Sequence, residues 1–104
     1  VKASRITLSD AAITDILEQA DWYQEKSGRK LAARWEKSVT STLLRIVASP
    51  RSGARCSFSA KELNGVRRLP VAYFAKHLVF YRFQQGELLV LRIVHGARDL
   101  ESLF

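Results

Sequence analysis

The chain has 104 residues, 47% of them apolar and 26% charged, enough for one domain over residues 1–104 with a modest core and too few for two. This balance excludes disordered and fibrous classes. No apolar run reaches the length of a bilayer span and no secretory leader is recognised, so the expectation is a soluble cytoplasmic protein with no membrane partner. A single cysteine, Cys56, with two histidines, His77 and His95, provides neither a disulfide framework nor a structural metal site; no metal and no cofactor are expected.

The net charge of +7 is unevenly spread. Residues 1–25 carry a net −3, residues 26–82 hold 13 Lys and Arg against Glu36 and Glu62, and residues 83–104 come to −1. The middle of the chain is a positive source that draws an anionic partner, either nucleic acid or an acidic protein segment.

Residues 4–8 alternate like a short strand. Ser9 stands as a helix N-cap with Asp10 in the first turn, where a carboxylate suits the helix dipole. The apolar stripe that follows is Ile13, Ile16, Leu17, Ala20 and Tyr23, and Ser27-Gly28 ends it. A second helix is predicted from Arg29 to Ser49, with Leu31, Ala32, Trp35, Val39, Leu43, Ile46 and Val47 inward and Pro50 barring continuation. The short connection makes the pair an antiparallel hairpin. Residues 50–63 read as a loop carrying Cys56 as a passive thiol. Residues 65–71 read as a strand whose Pro70 marks an edge or end. Residues 76–83 and 87–95 are apolar strands joined at Gln84-Gln85-Gly86. Asp99 caps a last turn, Leu100–Phe104.

The order is thus β-α-α-β-β-β, an α+β domain in which the helical hairpin packs on a small, mostly antiparallel sheet. Two registers are open for the last hairpin. A three-residue loop pairs Phe83 with Glu87, puts His77, Val79 and Tyr81 on one face with Leu89, Leu91, Ile93 and His95, and brings Arg82 to Arg92 on the other. A two-residue loop shifts every partner by one. Glutamine is a poor fit to the left-handed first position of a two-residue turn, which favours the longer loop.

Phosphate-cradling glycine loops, nucleophile elbows and metal-ligand spacings are missing from the sequence. What remains is Arg67, Arg68, His77, Tyr81, Arg82, Arg92, His95 and Arg98. Such a set can cleave RNA if a base activates the 2′-hydroxyl while arginine holds the phosphate. It can equally bind an acidic peptide through arginine–carboxylate pairs.

The run Leu91-Arg-Ile-Val-His-Gly-Ala-Arg-Asp-Leu-Glu-Ser-Leu103 resembles the C-terminal signature of the RelE/ParE superfamily of bacterial toxins, whose ParE branch commonly ends a strand in His-Gly-x-x-Asp. Lys76-His-Leu-Val-Phe-Tyr-Arg82, Val66-Arg-Arg-Leu-Pro70, Leu8-Ser-Asp-Ala-Ala, Ala20-Asp-Trp-Tyr and Ser49-Pro50-Arg51-Ser-Gly53 are similar to further family segments in the same order. The resemblance implies a toxin held as a hetero-oligomer with a cognate antitoxin. ParE-like members poison DNA gyrase by binding; RelE-like members cut mRNA in the ribosome. The motif style, and a tail at Phe104 without the basic extension of RelE-like nucleases, point to the ParE branch. It then implies no catalytic residue and target contacts at Arg98, Leu100, Leu103 and Phe104, while the basic segment from Lys26 to Arg82 offers an antitoxin its contacts at Arg34, Arg67, Arg68 and Arg82. A ribonuclease would instead use His77, Arg82, Arg92, His95 and Arg98.

Overall fold

A computed structural model describes residues 1–96 and 101–104. The chain runs β1 (Arg5–Leu8), α1 (Asp10–Ser27), α2 (Arg29–Ala48), β2 (Ala54–Arg55), β3 (Val66–Val71), β4 (Phe74–Gln84) and β5 (Glu87–His95), with 3-10 turns at Lys61–Leu63 and Glu101–Leu103. One mixed sheet has the order β1-β5-β4-β3-β2. Only β1 and β5 are parallel; the other pairings are antiparallel. The helical hairpin covers one face, as the sequence predicts.

Ser9 caps α1 as expected, its Oγ accepting from Ala12 N at 3.0 Å. Ile16, Ala20 and Tyr23 of the predicted stripe face the core, but the packed side is centred further toward Ala12 than predicted. Ala12 and Ala20 are buried, while Ile13 and Leu17 are 43% and 56% exposed. Alanine lets the helix approach closely, and Ile16 and Tyr23 complete the packed face. The phase of α2 is as predicted: Ala32, Trp35, Val39 and Ile46 are buried. Trp35 is fully buried, and its Nε1 donates to the Ile16 carbonyl of α1 at 3.1 Å.

The predicted loop 50–63 contains a strand, β2, paired with Arg67 and Arg68 of β3. Two residues are too few to show a period, so the sequence hides it. Beyond that pairing β3 is an edge, which is where Pro70 falls.

The β4–β5 turn differs from the favoured register. Gln84 pairs with Glu87, and Gln85 and Gly86 take φ of 52° and 79°, the left-handed pair of a two-residue type I′ turn. A bulge then shifts the ladder between Phe80 and Tyr81. Past it His77 faces His95 and Val79 faces Ile93, so these four keep their shared face, whereas Leu89 lies opposite Arg82 and Leu91 packs with Phe80 on the other face. Arg82 and Arg92 do not meet; they lie opposite Leu89 and Phe80 respectively.

The face of the sheet away from the helices is also covered. Leu63, Val66, Phe80 and Val94 form a second buried cluster, with Cys56, Phe58, Ala60, Leu78, Leu91 and Leu103 against it.

Candidate functional site

Because β1 pairs only with Glu87–Val90 of β5, the rest of β5 would be a bare edge. The start of α1 closes it. Ser9 N donates to Val90 O at 2.9 Å, Ser9 Oγ donates to Leu91 O at 2.7 Å, and Asp15 Oδ2 accepts from Ile93 N at 2.9 Å. The bulge turns Arg92 to this edge, where Nε and Nη2 each donate to an Asp15 oxygen at 2.8 Å and Nη1 donates to Leu103 O at 3.0 Å. These hydrogen bonds, set against the cost of burial, hold the Arg92 guanidinium more firmly protonated than usual.

Beside this closure lies a groove of ≈ 550 Å³, lined by Asp15, Glu18, Gln19, Trp22 and Tyr23 of α1 and by His77, Arg92, Ile93, Val94 and His95 of the sheet. The His77 and His95 rings are 5.5 Å apart, and His77 also packs edge-on against Trp35 at 4.9 Å. Burial, and secondarily the charge of His95, push the His77 pKa below the ordinary histidine range, so His77 is neutral at pH 7. Trp22 is 53% exposed at the rim, edge-on to Tyr23.

Of the candidate ribonuclease set, His77, Arg92 and His95 line this groove, and Arg82 does not join them. His77 and Arg82 are five residues apart on β4, about 16 Å along a strand, and on opposite faces. Arg82 donates to the Glu62 carbonyl, although its buried Nε has no hydrogen-bond partner among the described residues. Arg92 is committed to Asp15. Tyr81 is fully buried and serves as a loop anchor. Arg98 lies outside the described residues.

The four arginines expected to meet an antitoxin do not share one surface. Arg34 is exposed on α2, in a groove of ≈ 530 Å³ with Lys37, Ser38, Ser41, Ala72 and Tyr73. Arg68 and Arg82 belong to the opposite face of the sheet, across from Phe80 and Val66. Arg67 Nη1 is turned inward onto Gly53 O at 2.9 Å and Arg51 O at 3.2 Å. Cys56 adjoins Arg68; burial raises its thiol pKa more than Arg68 lowers it, which fits a passive thiol. Of the candidate target contacts, Leu103 packs on the second cluster. Phe104 is 39% exposed, edge-on to Phe58 and Phe80 at 5.5 and 5.8 Å. Leu100 lies outside the described residues. Sequence reasoning missed Asp15, and only an unexplained carboxylate beside an apolar stripe could have marked it. No group of metal-ligating side chains is present among the described residues, and none of their helices is long and apolar enough to cross a membrane.

An antiparallel helical hairpin laid on a mixed sheet whose outer strand is parallel defines an α+β domain shared with bacterial toxin–antitoxin structures. The P. aeruginosa chromosomal ParDE system superposes with a TM-score of 0.73 at 18% identity, over 89% of this chain and 96% of that one. The S. aureus YoeB–YefM complex gives 0.46 at 18% identity, over 86% and 93%. A comparison with curated protein sequences returns no match. The family described as the ParE toxin of the type II toxin–antitoxin system, parDE, matches residues 6–100. This chain belongs to that family.

Proposed function

We propose that this protein is a cytoplasmic toxin that inhibits DNA gyrase by binding and is neutralised by a cognate antitoxin. The observation that supports a binding mechanism is that, among the described residues, neither Arg82 nor Arg92 is available beside His77 and His95. Of the arginines that could hold a scissile phosphate, Arg92 is spent on Asp15 and Arg82 sits on the face away from His77 and His95. A neutral His77 could take a proton, and among the described residues the one arginine that lines that groove is paired with Asp15.

Family membership supports the antitoxin, and the P. aeruginosa ParDE system is similar in fold. An acidic antitoxin segment would use Arg34 on the helical layer and Arg68 and Arg82 on the other face, wrapping the domain and not docking on one patch. Arg67 would act indirectly, by holding the 51–53 loop. For the target, the proposed contacts are Arg98, Leu100 and the exposed edge of Phe104, with Leu103 packed on the second cluster.

Induced expression in bacteria tests the reading. Filamentation with DNA-damage signalling is expected. An abrupt halt of translation with cleaved mRNA would replace it with the RelE-like ribosome-dependent endoribonuclease, built on His77, His95 and Arg98.

A further inference from the structure

The outer face of the helical hairpin is unpartnered among the described residues, and it is patterned. On α1 the buried Ala12 and Ala20 mark the core side, and Asp15, Glu18, Gln19 and Trp22 flank the β5 edge. Ile13 and Leu17 lie about 65° and 105° round from the packed side, on the flank toward α2, 43% and 56% exposed. On α2 Trp35, Thr42 and Ile46 point inward, Arg34 and Lys37 flank the β3–β4 turn, and Leu44 faces out at 65% exposure. The helices run antiparallel from Gly28, so Ile13 stands level with Leu44. The three side chains form an apolar seam along the hairpin.

Charges border the seam on both sides. Between Asp10 and Ser27, α1 carries five acidic residues and one basic; between Arg29 and Ala48, α2 carries five basic and one acidic. Their spacing matches. Glu25 and Lys30, Asp21 and Arg34, and Asp10 and Arg45 stand at 3 and 2, 7 and 6, and 18 and 17 residues from Gly28. None of these six side chains forms an ion pair among the described residues.

We propose that two copies of this chain pair through this face about a twofold axis parallel to the helices. That rotation exchanges the two flanks and leaves heights along the helices unchanged. Each acidic row then lies on the partner's basic row, rung by rung, with seam against seam. A twofold axis running across the helices would set acid on acid and base on base. Because the apolar centre is small, the charges set the register and the dimer is weak and reversible.

Sedimentation equilibrium of the intact chain, from low-micromolar to sub-millimolar concentration, tests this without reference to toxicity. A monomer–dimer equilibrium that weakens with salt is expected. Leu44→Glu, at an exposed position, should raise the dimer Kd by about tenfold or more with an unchanged melting curve. Asp21→Arg and Arg34→Asp should each weaken pairing, and the double variant should recover it. A monomer at every concentration, a dimer indifferent to Leu44→Glu, or a double variant that fails to recover would overturn the proposal. So would a free chain that stays monomeric while bound antitoxin protects the seam, since the face would then be the antitoxin's seat.

Discussion

Tyr81 holds a loop from inside the core. Its hydroxyl donates to Pro50 O at 2.8 Å and accepts from Gly53 N at 2.9 Å. Gly53 has no room for a side chain: a Cβ there would lie 2.5 Å from Tyr81 Oη and 2.9 Å from Arg68 O. Tyr81→Phe strands two backbone groups and should cost about 1–3 kcal/mol, measured by denaturant unfolding. In the sequence Tyr81 reads as a candidate for chemistry, because a tyrosine beside arginines looks the same whether its hydroxyl faces substrate or a loop carbonyl. His77 lends itself to a titration. Its folded-state pKa lies below the ordinary value, so as pH falls through about 6.5 the unfolded chain takes up a proton that the folded chain resists. Stability should therefore drop over that range and level off below the folded pKa. His95, Arg92, Glu18, Asp15 and Tyr23 border the same groove, so the reading needs the His77→Leu variant beside wild type. A flatter profile in the variant is expected; an unchanged slope would assign the drop to the other groups.

At the level of elements, the closure of β5 by α1 is the join on which the layers depend. Asp15 is 9% exposed and Arg92 17%, and the carboxylate also holds Ile93 N. Asp15→Ala leaves a mostly buried guanidinium and an edge amide without their acceptor. It should cost about 3 kcal/mol in thermal or denaturant unfolding, against about 1 kcal/mol if the pair behaved as an exposed one. The helices themselves were legible, because Ser9, Gly28 and Pro50 punctuate them and the α2 stripe is strongly periodic. The α1 phase was legible only in part, since Ala12 buries as well as isoleucine when a helix lies close to its neighbour. The β4–β5 register was hidden by Gln85, a residue type that rarely takes a left-handed conformation. The pairing of Asp15 with Arg92 spans 77 positions, beyond the reach of any local pattern.

For the molecule as a whole, the basic middle of the chain resolves into charge on both layers. An acidic partner should associate more slowly as ionic strength rises, because attraction between exposed charges is screened over about 8–10 Å at physiological salt. Stopped-flow mixing with the antitoxin at several salt concentrations reads this directly, and a flat rate would remove electrostatic steering. Family and fold were legible in the C-terminal His95-Gly96 run and the order of elements. The scatter of Arg34, Arg67, Arg68 and Arg82 over different surfaces was not, because charge along a sequence does not say which layer it will occupy. The proposed mode of action is binding to gyrase, with Arg34, Arg68 and Arg82 on different surfaces and Arg92 held by Asp15. The most direct measurement is DNA supercoiling by purified gyrase as the purified chain is titrated in, with and without antitoxin. Progressive inhibition that the antitoxin relieves is the expected result; full supercoiling at saturating chain, with ribosome-bound mRNA cut in a parallel reaction, would contradict it.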